Sequence, residues 1–342
     1  ALAMAMAADC ARACAALLEG HELFELLPAH GKVVTLDADL PMKHALGALA
    51  AHAACCLPVW DSAQQRFVDV FSCADLVDIV IYTHHALSGA VPTSVGTSSG
   101  LTGGPAGRMD HGGRGETQHA LERCQLRDLH GLKRSKPSGF VMASVDDSMY
   151  HGCLLLKQHR LDCLPLGDAS CSSSLLHLLV PEQILAFLAA SNEFRQQAAL
   201  FSVSVNDAVL PHCQQLRTVP RKATLADALS ILSAERVPAV PVIDSPSGAL
   251  FDVLSSRDVR ELAAQTQTND PSMLLEDCLR SLVPTAQRVQ TCIPSDSLES
   301  VIKRLADPEV AQLVCVDEAG TLCGVITAST VLSTLLPPPE AA

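Results

Sequence analysis

Residues 241–258 read PVIDSPSGALFDVLSSRD, and residues 58–75 read PVWDSAQQRFVDVFSCAD. The two stretches agree at eight of eighteen positions, and the shared letters are mostly Pro, Asp and Ser, which a hydrophobic core does not by itself require. Strands ending in Asp recur at PVWD (Asp61), PLGD (Asp168), PVID (Asp244) and VCVD (Asp317). The last three Asp residues are 76 and 73 positions apart, and the first gap of 107 holds an insertion. Spacing of this kind marks a repeat architecture in which each repeat is one supersecondary unit.

Working outward from these strands, an amphipathic helix is predicted upstream of each, with apolar residues at i, i+3, i+4 and i+7. In the third repeat Thr224 caps it, Asp227 completes the box, and Leu225, Ala228, Leu229 and Leu232 form the stripe. In the fourth the stripe is Leu298, Val301, Ile302 and Leu305. In the first, Asp39 precedes Met42, Ala45, Leu46 and Leu49, with Pro41 in the first turn, where its missing N–H does no harm. The second reads through Met149, Gly152, Cys153 and Leu156. Downstream of each Asp a turn, a second strand and another helix follow, as in SPSG, ALFDVL and SRDVRELAAQ. The unit is β-α-β-β-α, the class is α+β, and a unit of about 60 residues buries too little surface to stand alone, so units must pair.

The composition is that of a folded chain, 48% apolar and 18% charged, with a core that must be aliphatic because aromatics make up only 3%. A net charge of −13 argues against a chain-wide nucleic-acid surface. No apolar run reaches the length of a membrane span, and the Ala-rich opening of residues 1–24 reads as a helix. The 14 cysteines show no C-x-x-C and no zinc spacing with His, so they read as reduced, buried small hydrophobes in a cytosolic or nuclear setting. Residues 88–116, rich in Gly, Ser, Thr and Pro, cannot form a core and read as a disordered insertion. The GLTGGPAG within them lacks the Lys-Ser/Thr of a phosphate loop and has no strand leading into it. His84, His85, His111 and His119 have no partners at metal-ligand spacing. No nucleophile elbow, kinase catalytic set or dinucleotide fingerprint occurs, so no catalytic residue is assigned.

Four β-α-β-β-α units with a Pro-Val-x-Asp strand and a later Ser/Thr-x-x-Asp resemble the CBS repeat. Four in one chain resemble the γ subunit of the AMP-activated or sucrose-non-fermenting-type protein kinases, above all its plant βγ form. ELLPAHGKVVTLDADLPMKHAL (residues 25–46), LLHLL (175–179) and KRLADPEVAQLVCVDEAG (303–320) carry that resemblance. No carbohydrate-binding module such as the plant form carries is visible here. The chain then divides into an N-terminal helix (1–24), repeat 1 (25–87), the insertion (88–118), repeats 2 (119–200), 3 (201–268) and 4 (269–336), and a tail (337–342). The resemblance implies repeats paired into two modules that form a disc. It also implies a non-catalytic subunit bound to a kinase catalytic subunit and a β-type scaffold, with AMP, ADP or ATP as a regulatory ligand and no obligatory cofactor. A free-standing CBS-repeat sensor of an adenosyl ligand, acting on another enzyme or a transporter, is the alternative.

Ser72/Asp75 and Ser255/Asp258 have capping-box spacing at a strand-to-helix junction. The same geometry suits a ligand, because a helix N-terminus attracts an anion and a carboxylate can accept the hydroxyls of a ribose. In the family the Asp at this position holds the ribose, which makes Asp75 and Asp258 the candidates. The phosphate side needs basic residues. At the positions where the family is basic this chain has Cys55, Asp162 with Cys163, and Ala311 with Gln312; only Arg236, in repeat 3, keeps a charge. The second turn reads VPEQ and the fourth TAST, so two ribose carboxylates are missing. Arg257 is either a phosphate contact or a solvated surface side chain. The third cleft, with Arg236, Ser255, Arg257 and Asp258, is therefore the expected nucleotide site.

Overall fold

The structure, a computed structural model, describes residues 2–87, 125–131, 140–168, 171, 173–213, 216–245, 247–264, 270–282 and 288–336. The insertion expected at 88–118 and the tail at 337–342 lie outside the described residues. Four three-stranded sheets of one topology form among the described residues. In each, a short strand runs parallel to a central strand, which pairs antiparallel with a third. They are β1 (Leu36–Asp37), β2 (Cys56–Asp61) and β3 (Arg66–Ser72); β4 (Ala143–Ser144), β5 (Leu164–Gly167) and β6 (Leu175–Leu179); β7 (Val219–Pro220), β8 (Ala239–Ile243) and β9 (Leu250–Ser255); and β10 (Gln290–Cys292), β11 (Leu313–Val316) and β12 (Leu322–Ile326).

Every hairpin has a register shift at the same place, at Val59/Trp60, Leu166/Gly167, Val242/Ile243 and Cys315/Val316. The repeated Asp follows directly. A bulge bends its strand just before the turn, and the carboxylate then shapes the turn: Asp61 Oδ1 accepts the N–H groups of Ala63 (2.8 Å) and Gln64 (3.0 Å), and Asp317 Oδ1 accepts those of Ala319 (2.9 Å) and Thr321 (2.7 Å). In repeat 3 the turn closes through the Asp244 carbonyl, which accepts from Gly248 at 2.8 Å, and Gly248 has a φ of +72°. The Asp of Pro-Val-x-Asp thus serves the hairpin. The upstream helices bury the expected stripes, Leu46 only in part, and in repeat 1 Pro41, expected in the first turn, holds the N-cap position.

Packing closes the four repeats into a ring. The sheet faces of repeats 3 and 4 share a cluster of Ala239, Val253 and Val314, and strands β2 and β6 join repeats 1 and 2. Helices join the other neighbours. Cys73–Leu87 of repeat 1 packs on Leu225–Glu235 and Ser256–Ala264 of repeat 3, and Pro181–Ala190 of repeat 2 packs on Leu298–Leu305 and Ala328–Leu335 of repeat 4. Polar contacts reinforce both helix seams. Ser233 Oγ donates to Asp78 Oδ1 at 2.5 Å, and Lys157 Nζ donates to the carbonyls of Ser333 (3.0 Å) and Leu336 (3.3 Å), at the negative end of a helix.

The boundaries read along the chain differ from the packing. The segment before each repeat's first strand docks on a neighbouring repeat. Leu23 and Phe24 donate N–H bonds to the carbonyls of Asp147 and Val145 in repeat 2; Leu126 and Arg127, placed by sequence in repeat 2, donate to Leu40 and Ala38 in repeat 1. Val205 and Asn206 reach Asp296 and Pro294 in repeat 4, while Leu275 and Glu276 reach Ala223 and Arg221 in repeat 3. The chain is exchanged twice, once within residues 1–168 and once within residues 203–336. A faint signal marks these segments, an apolar residue followed two positions on by an acid, as in Leu23/Glu25, Leu126/Asp128, Val205/Asp207 and Leu275/Asp277.

Gly167 explains why the second Asp strand reads PLGD. A Cβ there would lie 2.1 Å from the backbone oxygen of Ser174. Gly167→Ala is expected to lower stability in urea by about 2–3 kcal/mol. Gly47→Ala, with nothing within 4 Å of the added carbon and a mid-helix position, is expected to raise it by up to about 1 kcal/mol. Equal effects at the two positions would contradict the packing.

Candidate functional site

Both Ser-x-x-Asp boxes form. The Ser72 N–H donates to Asp75 Oδ2 at 2.8 Å, the Asp75 N–H donates back to Ser72 Oγ at 3.3 Å, and the Ser72 hydroxyl donates to Oδ2 at 3.1 Å. At Ser255 and Asp258 the same three distances are 2.7, 3.2 and 2.7 Å. The same reciprocal box closes Thr224 with Asp227, and Ser204 caps its helix by accepting the Asp207 N–H at 3.2 Å and donating its hydroxyl to Asp207 Oδ2 at 2.8 Å, on helices that follow no hairpin. At these positions the motif is a helix cap, while Ser144 and Asp147 use the same spacing to close a turn after a strand, the Ser144 N–H donating to Asp147 Oδ2 at 2.9 Å. The two degenerate copies cap in their own way. Thr327 Oγ1 accepts the Thr330 N–H at 3.3 Å, and Gln183 Oε1 accepts the Val180 N–H at 3.0 Å while its amide bonds the His177 ring at 2.9 Å. Burial holds the His177 imidazole below its ordinary pKa, so it is neutral at pH 7 and adds no positive charge beside that turn.

In repeat 3 the other carboxylate oxygen of Asp258 is also engaged. Arg288, just ahead of β10, reaches back from repeat 4, with Nη1 at 3.1 Å from Asp258 Oδ1 and 3.4 Å from the Val253 carbonyl, and Nη2 at 2.5 Å from Asp252 Oδ1. The side chains are 11% (Arg288), 2% (Asp252) and 13% (Asp258) exposed, so this is a buried ion triad. A ribose reaching Asp258 meets a carboxylate that already has three donors.

Arg257 is neither a solvated surface residue nor an unpaired phosphate contact. Its Nη2 donates to Glu182 Oε1 at 2.5 Å, and the two side chains are 27% and 16% exposed. Glu182 is the acid of VPEQ, in the first turn of Pro181–Ala190, and Arg257 lies in the first turn of Ser256–Ala264. Cys55 of repeat 1 stands close enough to feel both charges; burial raises its thiol pKa, and Arg257 opposes that rise. Cys73 is pushed up to about 12, mainly by burial. One helical turn beyond Arg257, Arg260 donates to the Ala54 carbonyl at 3.0 Å and faces Glu261 at 3.6 Å. Repeats 1, 2 and 3 therefore meet at a matched set of charges flanked by protonated thiols. Such a set can bind or lock; it offers no nucleophile.

Arg236 is the fourth residue expected at this cleft. It is exposed and caps the C-terminal end of Leu225–Glu235 in the left-handed conformation, φ +53°, as Arg160 does at the end of Met149–His159 with φ +50°. The structure brings Ser255, Arg257 and Asp258 to one helix N-terminus. Glu182, Asp252, Arg260 and Arg288 join them and were not singled out as binding residues from the sequence. Asp252 had a visible signal, since it matches Asp69 within the repeated eighteen residues, where repeats 2 and 4 have His177 and Gly324. Arg288 had none, because thirty residues separate it from Asp258 and no local pattern points to it. Among the described residues no group of three or more His, Cys, Asp or Glu is placed to hold a metal, and no helix is long and apolar enough to cross a membrane.

A family model for the CBS domain matches residues 211–264 and 275–337. The chain is 27% identical over 325 residues to the 5'-AMP-activated protein kinase subunit gamma of Dictyostelium discoideum, covering 93% of this chain and 52% of that one. To the subunit gamma-3 of Homo sapiens it is 27% identical over 319 residues, covering 93% of this chain and 60% of the relative. It thus spans between half and two thirds of these relatives' length. Two archaeal structures share the fold at 14% identity. One from Methanocaldococcus jannaschii has a TM-score of 0.67 and covers 91% of this chain and 99% of its own; one from Pyrococcus horikoshii has a TM-score of 0.51 and covers 92% and 100%. Residues 211–264 and 275–337 thus match the CBS domain, all four units share one sheet topology, and over nearly all of its length the chain is similar to the γ subunits of AMP-activated protein kinase.

Proposed function

We propose that this chain is a non-catalytic γ-type regulatory subunit of an energy-sensing Ser/Thr kinase complex, in which it organises a kinase catalytic subunit and a β-type scaffold subunit. The observation that carries this reading is the spread of the similarity, 27% identity across 93% of the chain. Likeness along the whole ring, rather than in one repeat, favours the same assembled surface. The chemistry of the central cluster supports a structural role, because its charges are matched within the protein and its buried thiols are protonated. The described cysteines are free thiols, which fits a reducing cytosolic or nuclear setting.

A nucleotide-responsive version has one observation in its favour: Ser255, Arg257 and Asp258 converge on a helix N-terminus, where AMP, ADP or ATP would place its ribose and phosphate. In that version the ligand must displace protein partners already on Asp258 and Arg257.

Capture of the chain from native extract, read by mass spectrometry, is expected to recover a kinase catalytic subunit together with a β-type partner. Recovery with an unrelated enzyme or transporter and no kinase would overturn the subunit reading. Arg288→Ala is expected to cost about 3–5 kcal/mol in denaturant unfolding, since it leaves Asp252 buried beside Asp258 without their cation. Arg236→Ala, at an exposed position, is expected to change stability by no more than about 0.5 kcal/mol.

A further inference from the structure

Arg257 sits where a cation is least welcome, in the first turn of a helix whose unsatisfied N–H groups already carry partial positive charge. Arg260 follows one turn later on the same helix. Such a position calls for an anion, and the structure supplies one from another repeat. Glu182 lies in the first turn of its own helix, where a carboxylate is favoured, and its Oε1 is 2.5 Å from the Arg257 guanidinium. The other groups facing the pair are accounted for. Cys55 is a half-buried thiol, Cys73 is a buried one pushed up to about 12, and Arg260 is held by the Ala54 carbonyl and Glu261. The Arg257 and Glu182 side chains keep 27% and 16% of their surface exposed, so a small solute can reach the pair.

We propose that Glu182 is a built-in counter-anion. Its carboxylate occupies the place on Arg257 that a phosphate-bearing ligand of the third cleft would take. Binding of such a ligand and the Glu182–Arg257 contact between repeats 2 and 3 exclude one another. The proposal rests on the nucleotide side of the reading above for the class of ligand alone. In the wild-type chain the cleft is self-neutralised, and a phosphate must compete with a tethered carboxylate.

The test uses the full chain with AMP, inorganic phosphate and adenosine as probes, read by titration calorimetry. Glu182→Gln removes the charge and keeps the shape. It is expected to bind AMP at least about tenfold more tightly than wild type, because a charge-assisted contact becomes available. Inorganic phosphate is expected to gain in the same direction and adenosine not at all. Glu182→Asp, which retains a carboxylate at the helix start but is one methylene shorter, is expected to show a smaller gain and guards against misfolding of the first variant. Adding Arg257→Gln to Glu182→Gln is expected to abolish the gain. Equal AMP affinity in wild type and both single variants would overturn the proposal, as would a gain by adenosine equal to that by AMP. Capture of wild-type chain from extract reports on the kinase partners separately. Loss of those partners with the Glu182→Gln gain intact would sink the subunit reading alone, and the reverse outcome would sink this proposal alone.

Discussion

A three-stranded sheet with two helices is too small to cover both faces of its own sheet, and every larger feature of this protein follows from that constraint. Each repeat turns its sheet to one neighbour and its helices to another, which with four repeats gives a closed circuit with no unpaired end. The exchanged segments answer the same need. A short apolar stretch such as Leu23 or Leu126 is fully or nearly fully buried, and it is buried on the partner repeat rather than its own. Exchange ties the repeats into pairs more firmly than contact alone, because separating two repeats would strip the backbone partners from residues such as Val205 and Leu275.

Packing brings the first turns of Pro181–Ala190 and Ser256–Ala264 together, and this has an electrostatic cost. Positive helix ends converge, and this chain adds Arg257, Arg260 and Arg288 nearby. Glu182 and Asp258, from the first turns of helices, and Asp252, from within a strand, balance Arg257 and Arg288, while Arg260 is held by the Ala54 carbonyl and Glu261. Glu182 is an internal anion held against Arg257, one of the two basic residues expected at the third cleft. Arg257 and Arg288 are thus paired within the protein, whereas Arg236 is exposed.

The repeated eighteen residues show how much of this was legible. The hairpin, its closing Asp and the Ser-x-x-Asp cap could all be read from spacing, because turns and helix caps are made by residues within four positions of one another. The amphipathic stripes were equally plain, down to Met149, Gly152, Cys153 and Leu156 in the faintest copy. Repeat boundaries were harder. The chain runs continuously from one repeat into the next, and only packing reveals that Leu126 belongs with Leu40. In the candidate site Ser255, Arg257 and Asp258 were named from sequence; Arg236 was named with them, and the structure shows it capping a helix end in the left-handed conformation.

By itself the sequence determined the class of fold, the number of units and the local chemistry of each turn and cap, since these rest on periodicities of two and 3.6 residues and on contacts three or four residues apart. Only the tertiary structure decided what the charged residues do. An ion pair between Arg257 and Glu182 spans 75 positions, and one between Arg288 and Asp252 spans 36. Distances of that kind leave no mark on local pattern. They are set when small units, unable to bury their own surfaces, close on one another and carry the ends of their helices together.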